Sequence, residues 1–170
     1  MTSRQDTCEA GIITATDAPE ARFGRAYLER RIIGEFPIGK HLGICVESAD
    51  DHGVALRAPL AANANDKGTA FGGSLYSVAV LAGWGWVTCY LAARDRDSEV
   101  VIQESTMRFV APCEGELRAR AVAPGEAQVD KLLKMLNRAG RGRVPVRVEV
   151  GRAHALNATF EGVFAVAKRS

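Results

Sequence analysis

The arrangement most suited to chemistry in this chain is a polar loop, Asn63-Ala64-Asn65-Asp66-Lys67-Gly68-Thr69-Ala70-Phe71-Gly72-Gly73, leading straight into a long uncharged segment. Gly72 and Gly73 at a helix start leave backbone N–H groups sterically open. The first turn of any helix carries unpaired donors and the positive end of the helix dipole. An oxyanion forming from a carbonyl would be stabilised there, an effect worth about 3 kcal/mol in a barrier. Gly68 lets the loop turn tightly, the Asn65 amide can hold a water or a carbonyl, and Asp66 is the only carboxylate in the loop. Gly72 and Gly73, with Ser74 beside them, are thus the candidate carbonyl-binding positions. Tyr76 and Ser77 are the next polar side chains on the helix that follows. The same residue types also cap and turn loops that have no chemistry attached.

The elements around this loop follow from periodicity. Asp17-Ala18-Pro19-Glu20 reads as a helix start, with Phe23, Tyr27 and Leu28 giving an apolar stripe toward Ile32 and Pro37 ending the element. Ile44, Val46 and Ser48, then Val54, Leu56 and Ala58, alternate on either side of Asp50-Asp51-His52-Gly53, which predicts a hairpin. After the uncharged segment the pattern turns to strands. Val101, Met107 and Phe109 are expected to share one face of a strand over 99–111, opposite Thr106 and Arg108. Leu117, Ala119 and Ala121, the valines 144 to 150, and Phe160, Phe164 and Val166 mark three more. Val129, Leu132, Leu133 and Leu136, stopped by Gly140, mark a short amphipathic helix between the second and third of these four. Strands segregated from helices make this an α+β chain with a mostly antiparallel sheet of about six strands curled around one apolar helix. Residues 1–16 read as a flexible N-terminal tail and 17–170 as a single domain.

Composition sets the outer limits. The chain has 170 residues, 47% of them hydrophobic, and 22 Lys and Arg against 20 Asp and Glu give a formal charge of +2. That excludes disorder and argues against nucleic acid as the main partner. Cys8, Cys45, Cys89 and Cys113 form no C-x-x-C pair and no ligand spacing with His41, His52 or His154, so neither a metal nor another cofactor is expected. The N-terminus lacks the apolar core of a secretory signal, and a cytoplasmic location with reduced thiols is the default. The run from Gly68 to Ala93 has no charged residue, but its glycines and hydroxyls fit a helix wrapped inside the protein better than a membrane span.

Asn65-x-x-Gly68-Thr69-Ala70-Phe71-Gly72-Gly73-Ser74-Leu75 resembles the signature of hotdog-fold acyl-thioester enzymes, Asn-x-x-Gly-x-x-His-Gly-Gly at the start of the central helix. Phe before the glycine pair, with Leu81-Ala82-Gly83-Trp84 after it, is most similar to the thioesterase domain at the C-terminus of YiiD-type acyltransferases. Pro37-Ile38-Gly39-Lys40, Ala58 to Asn63, Val101-Ile102-Gln103 and Arg108-Phe109-Val110-Ala111-Pro112 extend the likeness over about residues 25–168. The resemblance implies a hotdog fold in a homodimer or homotetramer with pockets built between subunits. It also implies hydrolysis of acyl thioesters of coenzyme A or acyl carrier protein. Asn65 would orient water or substrate, and Gly73 would offer its N–H.

Two departures stand out. Phe71 replaces the usual His, and the slot for an acidic base or nucleophile about two turns after the glycines falls at or near Val80. Activation of water then falls to Asp66, Glu104 or His154, although strand parity sets Glu104 opposite Met107 and Phe109. Trp84 and Trp86 suit core packing and an acyl-pocket lining equally. The basic stretch Asn137 to Arg143, with Arg138 and Arg141, suits a solvated turn. It also suits the phosphates of coenzyme A or the acidic face of a carrier protein. A non-catalytic acyl-thioester binding or scaffold protein is the main alternative, and a hydratase or dehydratase, which would need a His at the site, ranks below it.

Overall fold

The computed structural model describes residues 23–152 and 155–169. The predicted helix start at Asp17–Glu20, the 1–16 tail, Cys8 and His154 lie outside them. The described chain begins with α1 (Arg25–Glu35), preceded by Gly24 at φ 97°, a conformation no helix continues through. α1 ends at Glu35, two residues before Pro37. The proline does not merely close the element, as expected, but opens the short α2 (Pro37–His41) as its first residue, where a missing N–H costs nothing.

β1 (Cys45–Asp50) and β2 (Gly53–Ala58) form the expected hairpin, its turn held by Asp50 Oδ1 accepting from the N–H groups of His52 and Gly53. A single turn of 3₁₀ helix (Leu60–Ala62) leads to the glycine loop and then to α3 (Gly72–Ala92). β3 (Ser98–Phe109), β4 (Leu117–Val122), α4 (Glu126–Ala139), β5 (Arg141–Arg152) and β6 (Ala155–Lys168) complete the chain. All strands pair antiparallel in the order β1-β2-β4-β5-β6-β3, curled about α3, which is the hotdog architecture. α4 buries Val129, Leu132 and Leu136 and stops at Gly140, whose φ of 65° is the left-handed cap a glycine makes cheaply.

α3 is long and apolar enough to cross a membrane, yet 14 of its 21 residues are buried inside the protein. Two of its glycines explain how it is wrapped. A Cβ on Gly83 would stand 2.8 Å from the ring of Phe164 on β6, and one on Gly85 would stand 3.0 Å from Leu28 on α1. The helix is therefore pressed between sheet and α1, most tightly at Gly83, where a Cβ would run into the Phe164 ring. Both tryptophans belong to this packing. Trp84 meets Phe36 edge-on at 4.7 Å and donates its N–H to the Val100 carbonyl; Trp86 is 1% exposed and stacks on Tyr90.

One correction to the sequence reading reshapes the site. The β3–β6 register slips between Ile102 and Glu104, leaving Gln103 as a bulge. Before the bulge Val100 and Ile102 face the core and Val101 is 59% exposed; after it Met107 lies opposite the buried Phe160. Val101 therefore does not share a face with Met107 and Phe109, because one inserted residue inverts the alternation of every side chain beyond it.

Candidate functional site

The glycine loop is tied down before the helix begins. Asn63, 2% exposed, donates from Nδ2 to the carbonyls of Leu42 and Pro59 at 2.9 and 2.8 Å, and its own carbonyl accepts from the Phe71 N–H. The Ala70 N–H donates to the Cys113 carbonyl on the opposite loop. Asn65 closes the loop on itself. Its Oδ1 accepts from the N–H groups of Lys67 and Thr69, and its Nδ2 donates to Thr69 Oγ1 at 2.9 Å and to the Ala70 carbonyl at 3.5 Å. That uses both donors and both acceptor positions of the amide inside the loop. Gly68, at φ 75°, supplies the turn. Asp66 stands exposed at the loop tip with no ion pair or hydrogen bond among the described residues.

The loop delivers the chain to Phe71, which precedes the first helical residue and offers no side-chain cap to the first turn. The Gly72 and Gly73 N–H groups thus come before the helix's own hydrogen-bond ladder. Two rings flank them. A Cβ on Gly73 would lie 2.3 Å from the Phe71 ring, and one on Gly72 would lie 3.4 Å from the Phe109 ring. Both phenylalanines are more than half exposed. Glycine at these positions lets aromatic rings close on the backbone itself.

From here an open stripe runs up α3. Gly73 and Tyr76 are exposed, and Ser77 and Val80 are half-buried, while every residue between Leu81 and Cys89 is buried. Ser74 is buried, so only its N–H belongs to the first turn. Ser77 Oγ donates back to the Gly73 carbonyl at 2.9 Å. The Tyr76 hydroxyl lies 2.8 Å from Ser105 Oγ on β3, with its ring edge-on to Phe160. Sequence reasoning passed over Ser105 and Asn63. Ser105 reaches this face only because of the bulge at Gln103, and Asn63 was hidden by the more conspicuous Asn65.

The remaining candidates lie elsewhere. Glu104 faces out beside Thr106, Pro145 and Glu161, on the side of the sheet away from α3. Arg138 is on the last turn of α4, and Arg141 is in register with Ala167, which also faces Glu99. Ten residues of β3 separate Glu99 from Phe109, about 33 Å of strand, so the two arginines do not approach Gly72 and Gly73 of their own chain. His41 is exposed at the end of α2. Burial raises the carboxyl pKa of Glu116, just before β4, but hydrogen bonds and charge from Arg57 and Arg118 outweigh it and hold the group below its ordinary value. A paired acid of that kind is a poor proton acceptor. Among the cysteines, Cys89 and Cys113 are free and buried, and burial pushes the Cys89 thiol up to about 11.

The comparisons with known proteins agree with this geometry. A family profile described as "Putative thioesterase (yiiD_Cterm)" matches residues 25–168. A solved protein of unknown function from Chlorobaculum tepidum is 30% identical, the match covering 85% of this chain and 94% of that one at a TM-score of 0.80. A structure described as the "putative thioesterase" from Shewanella oneidensis is 26% identical over 85% and 97% of the two chains, at 0.75. A "Probable Thioesterase" from Pseudomonas aeruginosa, 18% identical over 85% and 95% at 0.70, shares the fold. With the glycine loop, the uncapped helix start and the profile match all falling on one architecture, the chain belongs to the YiiD C-terminal thioesterase family.

Proposed function

We propose that the protein hydrolyses acyl thioesters carried by coenzyme A or acyl carrier protein. The observation that carries this reading is the first turn of α3: glycine-lined, uncapped, flanked by two exposed rings and continuous with an open stripe of the helix. A thioester carbonyl placed there would receive the Gly73 N–H. Charge developing on its oxygen would meet the positive end of a 21-residue helix. Water adds to the carbonyl carbon and the C–S bond breaks, giving a carboxylic acid and a thiol. In this reading Asn65 acts by fixing the loop, since its amide is spent there, and Asp66 is the carboxylate that takes the proton from water.

The open stripe and the outer edge of β3 also support assembly as a homodimer or homotetramer. β3 is a 12-residue edge strand carrying exposed Val101 and Phe109, followed by exposed Val110. Such an edge invites pairing with another strand, and a second copy laid against it would cover α3 from Gly73 to Val80. In a two-fold pairing the partner's Arg138 and Arg141 would stand nearer the glycine turn than this chain's own.

The test is release of free thiol from acyl-CoAs of graded chain length, read with a thiol-reactive dye. The free described cysteines should add little background, since Cys89 and Cys113 are 1% and 5% exposed and Cys89 keeps its proton well above assay pH. Turnover that falls at least tenfold in Asp66→Ala is the expected result. Asn65→Ala should lower both turnover and melting temperature, since it opens the loop. The half-buried Val80, an apolar side chain at the slot where the resemblance implies an acid, favours a second reading as a binding protein. Acyl-CoA that raises the melting temperature without turnover on coenzyme A or carrier-protein substrates would decide for it.

A further inference from the structure

The open stripe holds one pair of side-chain hydroxyls joined across two elements, Tyr76 on α3 and Ser105 on β3, 2.8 Å apart. Ser105 is there by construction. With Ile102 facing the core, an unbroken strand would turn Glu104 inward; the bulge at Gln103 sends Glu104 out and brings Ser105 in. Opposite Ser105 stands Gly162, where a Cβ would come within 2.6 Å of the Phe160 ring and 2.9 Å of Ile102. The same Phe160 ring supports Tyr76 edge-on at 5.7 Å. The fold therefore excludes a carboxylate from this face and fixes two neutral hydroxyls in its place.

Two hydroxyls sharing one hydrogen bond leave one O–H unused. A phenol is a better donor than an aliphatic alcohol, and an O–H strengthens as a donor when its own oxygen accepts a bond. Tyr76 follows Gly73 by three residues, on the same helix face, and helical side chains lean toward the N-terminus. We propose that Ser105 donates to the Tyr76 oxygen and that the Tyr76 O–H, so oriented, donates to the thioester carbonyl beside the Gly73 N–H. This inference rests on the thioester reading given above and names the second donor of that site. Tyr76 touches substrate; Ser105 is a positioning residue. The pair gives up no proton. Water supplies the oxygen of the acid, the C–S electron pair leaves on sulfur, and water's protons end on the acid and the thiol.

Turnover and ground-state recognition both test it. Tyr76→Phe should lower kcat about 100-fold, the usual cost of one oxyanion donor, with KM little changed. Ser105→Ala should lower kcat about tenfold, and Ser105→Thr should restore most of that loss, which a merely structural role would not do. Binding is measured in parallel with two unreactive ligands: a CoA ketone that keeps the carbonyl and a CoA alkyl thioether that lacks it. Wild type should prefer the ketone, and Tyr76→Phe should erase the preference while still binding the thioether. An active wild type whose turnover and ketone preference survive in both variants would overturn the pair and leave the hydrolase reading standing. A wild type that neither turns over nor binds either ligand would overturn both.

Discussion

Gly83→Val is expected to lower the melting temperature by about 6–12 °C, the shift that roughly 3 kcal/mol produces in a chain of this size. The cause is local. Even a lone Cβ at this position would reach 2.8 Å from two atoms of the Phe164 ring, and Phe164 is 0% exposed with no room to turn aside. Two further methyl carbons must push the centre of α3 off the sheet. The gain in helix propensity on leaving glycine, at most about 1 kcal/mol, does not offset that. Gly85→Ala makes a sharp comparison because its Cβ would meet only the terminal carbons of Leu28, at 3.0 and 3.1 Å. Those ends can give, so Gly85→Ala should stay within about 3 °C of wild type. Thermal melts of the two variants side by side decide the matter. If Gly83→Val melts with the wild type, α3 is not pressed on Phe164.

That contact also shows what could be read in the chain beforehand. The hydrophobic periods of α4, β2, β4 and β5 are local, and each strand or helix stands where its apolar residues alternate or recur. The glycine loop was legible for a similar reason: turn residues and a glycine pair announce a helix start whatever surrounds them. What stayed hidden depended on partners distant in sequence. The bulge at Gln103 is decided by pairing with Val163 and Phe164, and nothing between Val101 and Met107 betrays it. One displaced residue moved Val101 outward, while Glu104 and Ser105 keep the faces that parity with Met107 gives them. Asn65 likewise reads as a free amide in the sequence. Only the closed loop shows both ends of it consumed by Lys67, Thr69 and Ala70. Arg138 and Arg141 could not be placed relative to the loop, because charge has no periodicity; the strand register sets them at the far end of β3.

The same geometry bears on the missing acid. Val80 lies on the open stripe, half-buried, one turn beyond Tyr76 and two turns beyond Gly73. A carboxylate there would project into the face that Tyr76 and Ser105 share, where none of the described side chains on the stripe now carries charge. Val80→Glu is therefore expected to raise thioester turnover about 100-fold, the lower end of what a positioned general base contributes. Val80→Gln, equal in size and uncharged, should give no such gain, which separates proton transfer from a change of shape. The gain should also grow as pH rises through the new carboxyl's pKa and then level, since only the ionised form accepts a proton from water. Rates for wild type and both variants between pH 4 and 8, roughly the span over which a carboxylate in a half-buried site titrates, test all three statements. A Val80→Glu enzyme that stays folded, binds the CoA ketone as wild type does and hydrolyses no faster would mean that water does not stand over this stripe. The water that Asp66 deprotonates from the loop side would then lie beyond reach of a second base on α3, and the stripe would serve to hold the substrate alone.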